Sequence, residues 1–182
     1  IAWVCLSGCF QSKTTEDVVR ETMNQMMSKT SIVNPSDVII YDPLPKHESK
    51  TEPNLEEVAR LSADIKELKV EDIVIGSGAV AVEGRFASVL YRGMLPDGYV
   101  FDTNVETNPV PKERTTFRVE IGAGHVVKGL EDGIKGMRVG GVRRITIPAH
   151  LGYGSSPPPG SAIPPNSALI FDVHLMFVGD TP

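Results

Sequence analysis

Between residues 153 and 165 the chain reads Tyr153-Gly-Ser-Ser-Pro-Pro-Pro-Gly-Ser-Ala-Ile-Pro-Pro165, and the run Ala168-Leu-Ile-Phe-Asp-Val-His174 follows. Proline fixes φ at about −65° and has no backbone N–H, so the five prolines of this stretch exclude a helix and a ladder strand. The run after it is rich in β-branched and aromatic side chains, which favours a strand. We therefore expect a rigid loop between two strands that forms the apolar rim of a pocket.

The composition of the whole chain indicates a globular protein. Its 182 residues are 41% hydrophobic, which is sufficient for a packed core. The formal net charge is −5, and no run of Lys or Arg forms a basic stripe. We therefore exclude a nucleic acid as the main partner.

The first ten residues leave several interpretations open. Ile1–Phe10 is apolar but shorter than the ~20 residues that span a bilayer. Cys5 and Cys9, the two cysteines, fit buried small side chains, a local disulfide or a shared metal. Leu6-Ser-Gly-Cys9 also resembles a bacterial lipoprotein cleavage box, in which the cysteine is lipidated. The expected location is an organelle lumen or a membrane surface, or the bacterial envelope if Cys9 is lipidated.

A change of pattern near Val70 divides the chain. One amphipathic helix is predicted over residues 15–28, and a second is predicted to begin near Pro53-Asn54. The side chains on the predicted packing face of each helix are Val19, Met23, Met26 and Met27 in the first, and Leu55, Val58, Ala59, Ser62 and Ile65 in the second. We interpret residues 1–69 as a partly helical extension that packs on the rest of the chain or binds and anchors to a partner.

Strand patterns with glycine turns dominate after Val70, so an α+β fold is expected, with an antiparallel sheet wrapped on one helix. Leu95-Pro-Asp-Gly98 is typical of a hairpin turn. A single helical period runs from Val126 to Met137. The predicted strands are Val70–Ile75, Arg85–Met94, Thr115–Ile121, Arg143–Ile147 and Ala168–Phe177.

The sequence contains none of the common catalytic motifs. There is no nucleophile elbow, phosphate-binding loop, HExxH or CxxC, so no metal site is predicted from them. We interpret His125 and His174 as ordinary surface or core residues. Asp102, which follows Phe101, is the acid that stands out in an apolar context.

Five motifs in register resemble the FKBP-type peptidyl-prolyl cis-trans isomerases over about residues 70–179. They are Tyr91-Arg-Gly-Met-Leu-Pro-Asp-Gly-Tyr-Val-Phe-Asp102, Ile121-Gly-x-Gly-His-Val-Val-Lys-Gly-Leu-Glu-Asp-Gly133, Gly136-Met-x-Val-Gly-Gly141, Ile147-Pro148 with Gly152-Tyr-Gly154, and Ile163-Pro-Pro165 with Phe171-Asp172.

The resemblance implies an isomerase domain over residues 70–182, a half-barrel with an apolar cleft that twists Xaa-Pro bonds without a cofactor. It implies proline-containing substrates and inhibition by macrolides of the tacrolimus and rapamycin type. The N–H of Val127 and the Tyr153 hydroxyl would hold substrate carbonyls. The implied catalytic residues are Tyr91, Phe101, Asp102, Tyr153 and Phe171, and the implied substrate-binding residues are Phe117, Val126, Val127, Leu130 and Ile163.

Three departures from the family pattern leave an alternative open. Leu130 stands where the family often has Trp at the pocket floor, the loop containing residues 108–114 is longer than usual, and the loop after Tyr153 is longer and richer in proline. A weakly catalytic or noncatalytic scaffold, acting as an accessory subunit of a larger assembly, fits these departures as well.

Overall fold

A computed structural model describes residues 44, 45, 47, 48, 50–105 and 116–180 of the protein. These residues fall within one compact unit, residues 41–182. The helix predicted over residues 15–28, Cys5 and Cys9 lie outside the described residues, as do residues 108–114 of the long loop.

The described residues form a six-stranded antiparallel sheet with two α-helices and one 3-10 turn. The elements are α1 (Leu55–Asp64), β1 (Lys69–Val74), β2 (Phe86–Met94), β3 (Val100–Thr103), β4 (Phe117–Glu120), α2 (Lys128–Ile134), β5 (Val142–Ile147), the 3-10 turn (Ala149–Leu151) and β6 (Leu169–Gly179). The strand order in the sheet is β1-β5-β6-β2-β3, and β4 pairs with the same edge of β2 as β3 does. This confirms the α+β fold with an antiparallel sheet.

The predicted strands are confirmed to within two residues at each end, but one strand was not predicted. The missing strand, β3, has four residues and follows the predicted turn, where Gly98 adopts φ 91°. The N–H of Leu95 donates to the carbonyl of Tyr99 at 2.8 Å and closes the hairpin. Four residues are too few to show an alternating pattern, which is why the sequence does not reveal this strand.

Helix α2 is shorter than the predicted span of residues 126–137. Val127 caps its start, and Lys135 returns to extended backbone at its end. Gly136 follows with φ 79°, a left-handed conformation that ends the helix. Met137 lies beyond the helix yet remains buried, because the chain turns back onto the core there.

Two glycines on α2 let the helix lie directly on the sheet. A Cβ atom at Gly129 would overlap the side chain of Ile147, and one at Gly133 would overlap that of Ile145. Leu130 and Ile134 on the same helix are buried in the main core. The glycine spacing therefore sets the depth of the helix on the sheet.

An arginine on β5 anchors the far end of α2. The Arg143 guanidinium donates to the carbonyls of Gly133 at 2.9 Å and Lys135 at 3.2 Å. It also makes a two-point ion pair with Asp72 of β1, with N–O distances of 2.7 and 3.0 Å. Because one side chain bonds both elements, the helix end is held to the edge of the sheet.

Helix α1 is confirmed, with Asn54 as its N-cap, and it packs on the sheet domain. Val58 is fully buried in the main core, and the Ser62 hydroxyl accepts a hydrogen bond from the N–H of Ala168 at 3.0 Å. Leu55 and Ala59 are exposed, so the buried stripe is narrower than predicted. The described end of the extension therefore packs on the domain that follows it.

The segment that contains Leu44 and Pro45 lies on the face of the sheet opposite to α2. Leu44 is buried with Leu90, Val105 and Val142 in a second small cluster. The buried Arg92 donates to the carbonyl of Pro45 at 2.7 Å. Side chains alternate between faces along a strand, so Leu90 and Arg92 point away from the face that carries Tyr91.

We expect Val58→Ala to lower the free energy of unfolding by about 2 kcal/mol, because it removes two buried methyl groups and leaves a cavity in the core. Chemical denaturation monitored by circular dichroism measures the change. Leu55→Ala is the matched control in the same helix, and we expect a change within about 0.5 kcal/mol because Leu55 is 61% exposed. Equal effects of the two substitutions would contradict the packing of α1 on the core.

Candidate functional site

A cleft of about 420 Å³ opens between the sheet and the start of α2. Strands β2, β3, β4 and β6 supply its walls, and the segment from residue 125 to residue 130 supplies the opposite side. Its lining is mostly aromatic and aliphatic, which suits an apolar ligand. The lining residues are Val89, Tyr91, Phe101, Asp102, Phe117, His125, Val126, Val127, Leu130, Tyr153, Phe171 and Val173.

A tyrosine–carboxylate pair is the polar centre of the cleft. The Tyr91 hydroxyl donates to Oδ2 of Asp102 at 2.6 Å. Tyr91 lies on β2 and Asp102 on β3, and the two strands pair with Gly93 opposite Asp102. The pairing register therefore brings the two side chains together.

Four aromatic rings form the apolar wall. Tyr91 meets the edge of Phe117 at a centroid distance of 5.7 Å, and it lies 6.2 Å from Phe171. Phe101 packs at a right angle on Phe171 at 5.7 Å. Such edge-to-face contacts are favourable for aromatic pairs and fix the ring orientations.

Gly93 makes the space for two of these rings. A Cβ atom there would lie 2.7 Å from Cζ of Phe101 and 3.0 Å from Cε1 of Phe171. Any side chain at this position would displace Phe101 from the wall. The role of Gly93 is not evident from the sequence, because it depends on packing across two strands.

The helix side of the cleft is held by a buried acid. Oε1 of Glu131 accepts a hydrogen bond from the N–H of Gly124 at 2.8 Å. This bond ties the turn before α2 to the helix itself and so fixes Val126 and Val127. Leu130 lies one helical turn further on, has 7% of its surface exposed and also lines the cleft.

Both hydroxyls of the cleft remain protonated well above neutral pH. Burial, and after it the hydrogen bond and charge of Asp102, raise the pKa of Tyr91 far above its ordinary value. Burial, and after it the charge of Asp102, also raise the pKa of Tyr153. Tyrosinate is an anion, so a nearby carboxylate and a poorly solvated site both disfavour it.

The structure brings together all the residues that the sequence assigned to the site except Ile163. Ile163 is buried in the main core and is not among the residues that line the cleft. The prolines of residues 157–165 do not line the cleft either, so they do not form the apolar rim that was expected of them. Of residues 153–165, Tyr153 is the one in the lining. The stretch nevertheless forms a fixed loop, since the N–H of Asn166 donates to the carbonyl of Gly154 at 2.7 Å.

Three lining residues were not assigned to the site from the sequence. Val89 lies two residues before Tyr91 on β2, and Val173 lies two residues after Phe171 on β6. Because side chains two apart on a strand share a face, this spacing could have identified both valines from the sequence. His125, interpreted above as an ordinary residue, lies at the rim beside Val126. Its position just before α2 gave no such signal.

The described ranges contain neither a metal-binding cluster nor a membrane-spanning helix. Among those residues, no group of three or more His, Cys, Asp or Glu side chains has a metal-binding arrangement. The helices of the same ranges lack the length and the apolar character that a membrane span requires.

Comparisons with known proteins identify the fold and the family. The family model for FKBP-type peptidyl-prolyl cis-trans isomerases matches residues 78–176. FK506-binding protein 4 of Aspergillus fumigatus is 46% identical over 113 residues, which are 62% of this chain and 21% of that protein. FK506-binding protein 4 of Dictyostelium discoideum is 45% identical over 109 residues, which are 60% of this chain and 28% of that protein.

A solved structure gives the same result. The crystal structure of AtFKBP13 matches with a TM-score of 0.52 and 32% sequence identity, and the match covers 62% of this chain and 93% of that one. The match to the two FK506-binding proteins extends over 21% and 28% of their lengths. The chain therefore matches about a quarter of the length of these two relatives.

We expect Asp102→Asn to lower the pKa of both cleft tyrosines, that of Tyr91 more than that of Tyr153, because the substitution removes the negative charge that disfavours tyrosinate and Tyr91 is bonded directly to it. Alkaline titration followed by ultraviolet absorbance measures this, with Tyr91→Phe and Tyr153→Phe used for assignment. Glu83→Gln removes an exposed carboxylate outside the cleft and should leave the curve unchanged. Identical curves for Asp102→Asn and the unsubstituted protein would contradict the described electrostatics.

Proposed function

This chain belongs to the family of FKBP-type peptidyl-prolyl cis-trans isomerases, and we propose that its cleft catalyses the cis–trans isomerisation of Xaa-Pro peptide bonds. The observation that carries the proposal is the wall of four aromatic rings next to the Tyr91–Asp102 pair. The wall accommodates a proline ring, and the polar pair lies where the amide would twist.

The reaction needs no nucleophile. Rotation about the C–N bond of an amide has a barrier of ~18–20 kcal/mol, because resonance is lost in the twisted state. An enzyme accelerates the rotation if it binds the twisted amide better than either planar isomer. A largely apolar cleft disfavours the polar planar amide, and its fixed walls select one geometry of the proline ring.

The polar groups supply the orientation. The Tyr153 hydroxyl lines the cleft and is protonated at neutral pH, so it can donate a hydrogen bond, and we assign it to a substrate carbonyl. We assign a second carbonyl to the N–H of Val127, whose side chain also lines the cleft. The carboxylate of Asp102 adds an electrostatic contribution beside the twisting amide.

The same cleft is proposed to bind macrolides of the tacrolimus and rapamycin type. Leu130 at the floor offers less flat apolar surface than an indole and has no N–H. Binding is therefore expected to be weaker than in family members with Trp at this position.

An accessory or chaperone-like role with weak catalysis is the alternative, and Leu130 is the observation that favours it. In that role residues 1–69 would connect the domain to a larger assembly. Two residues of this extension, Leu44 and Val58, are buried in the hydrophobic clusters of the domain itself. A partner would therefore contact residues before Leu44, or the exposed face of α1 around Leu55.

We expect the protein to accelerate the isomerisation of a short Leu-Pro peptide in a protease-coupled assay. Asp102→Asn and Phe101→Leu should each lower kcat/KM by about tenfold, which corresponds to about 1.4 kcal/mol of transition-state stabilisation. Phe177→Ala is the control, because Phe177 is an exposed aromatic residue that does not line the cleft. If the unsubstituted protein does not exceed the uncatalysed rate, the enzyme proposal fails and the scaffold takes its place.

We expect Leu130→Trp to tighten macrolide binding by about 1 kcal/mol, or roughly fivefold in Kd, because the indole restores flat aromatic contact with the ligand. Isothermal titration calorimetry measures the change, and thermal unfolding verifies that the larger side chain is accommodated. Val82→Trp adds an exposed indole outside the cleft and should leave Kd unchanged. Unchanged or weaker binding by a folded Leu130→Trp protein would show that residue 130 is not the floor of the ligand site.

A further inference from the structure

Strand β2 has a break in its pairing at the cleft. On one edge it pairs with β6 along its whole length. On the other edge β4 pairs with Phe86–Val89 and β3 pairs with Arg92–Met94. Leu90 and Tyr91 lie between the two short strands, so neither strand pairs with the backbone that carries the Tyr91 ring.

The side chain of Asn104 fills this break. Its Oδ1 accepts a hydrogen bond from the N–H of Tyr91 at 2.7 Å, and its Nδ2 donates to the carbonyl of Val89 at 3.0 Å. A primary amide carries a donor and an acceptor on one carbon, as a peptide group does. The Asn104 side chain therefore continues the ladder where the backbone of β3 has ended.

The carbonyl of Tyr91 is bonded from the same short segment. The Thr103 hydroxyl donates to it at 2.9 Å, and the N–H of Asn104 approaches it at 3.3 Å. Asp102, which accepts the hydrogen bond of the Tyr91 hydroxyl, immediately precedes these two residues. The hydroxyl and the backbone of Tyr91 are thus both bonded by the three consecutive residues Asp102–Asn104.

We propose that Asn104 is a positioning residue for the isomerase reaction, and that its amide fixes the Tyr91–Asp102 pair by bonding the backbone of Tyr91 across the break. The inference rests on the proposed function. A backbone shift of Tyr91 would carry with it its ring contacts with Phe117 and Phe171. Asn104 does not line the cleft, so it acts through the backbone of Tyr91 and Val89 that it bonds.

The activity test is a comparison of two asparagine substitutions. Asn104→Ala should lower kcat/KM by roughly three- to tenfold, mainly through kcat, because misplacing the Tyr91–Asp102 pair removes part, and at most all, of what the pair contributes. Asn54→Ala removes the N-cap of α1 and so also destabilises the fold, but Asn54 does not line the cleft. It should leave kcat/KM within about twofold at a temperature where both proteins are folded.

A double-mutant cycle and a spectroscopic signal test the route through Tyr91. If Asn104 acts through the pair, the effects of Asn104→Ala and Tyr91→Phe on kcat/KM are not additive. In protein labelled with ¹³C at tyrosine Cζ, the Tyr91 signal should respond to Asp102→Asn, and this response should be lost in the Asn104→Ala background. The signal does not depend on turnover, so it tests the positioning role even in a protein that does not isomerise peptides.

Unchanged kcat/KM in a folded Asn104→Ala protein, additive effects in the cycle, or an unchanged Tyr91 response would each overturn the proposal. If the alanine variant does not fold, Asn104→Leu replaces it, since leucine has a similar shape but neither accepts from Tyr91 nor donates to Val89. The same losses are expected for that variant. Absence of catalysis in the unsubstituted protein, with the Tyr91 signal behaving as expected, would refute the isomerase proposal and leave the positioning of Tyr91 intact.

Discussion

The close approach of α2 to the sheet is the constraint on which the rest of the structure depends. Gly129 and Gly133 present no side chain to Ile147 and Ile145, so the helix lies directly on β5. Arg143 then holds the far end of the helix to the sheet and to β1. With the helix fixed in this way, the space left at its start is a cleft of constant shape rather than part of the core. The proposed twisting of an Xaa-Pro bond requires such rigid walls.

The fold was predictable where the pattern was long and regular. The β-branched runs and the turn at Leu95–Gly98 were sufficient to predict five strands and one hairpin, because alternation and turn chemistry are local properties. β3 was missed because four residues carry no period. The predicted buried face of α1 included residues that are exposed, because a helical pattern does not show which of its apolar residues contact the rest of the domain. Leu55 is exposed, whereas Val58 lies in the core.

The site depended on the family resemblance more than on any pattern in the residues. Tyr91, Phe101 and Phe171 come from three strands, and nothing local in the sequence says that they share a wall. Ile163 was expected in the cleft and lies in the core instead, and its contact with substrate stays a prediction. The roles of Gly93 and Asn104 could not be predicted from the sequence. Gly93 leaves space for two aromatic rings, and the side chain of Asn104 takes the place of a backbone hydrogen-bond partner in the sheet. Both roles exist only once the strands have paired.

The central claim is that the aromatic cleft binds an Xaa-Pro bond and twists it. Exchange spectroscopy on a short Leu-Pro peptide, with catalytic amounts of ¹⁵N-labelled protein, measures both parts in one sample. Uncatalysed isomerisation takes tens of seconds or longer, so exchange within about a second requires catalysis. Cis–trans exchange peaks, with amide shifts at Tyr91, Val127 and Tyr153, are the predicted result. The absence of exchange peaks, or peptide-induced shifts confined to the opposite face of the sheet around Leu90, would contradict the claim.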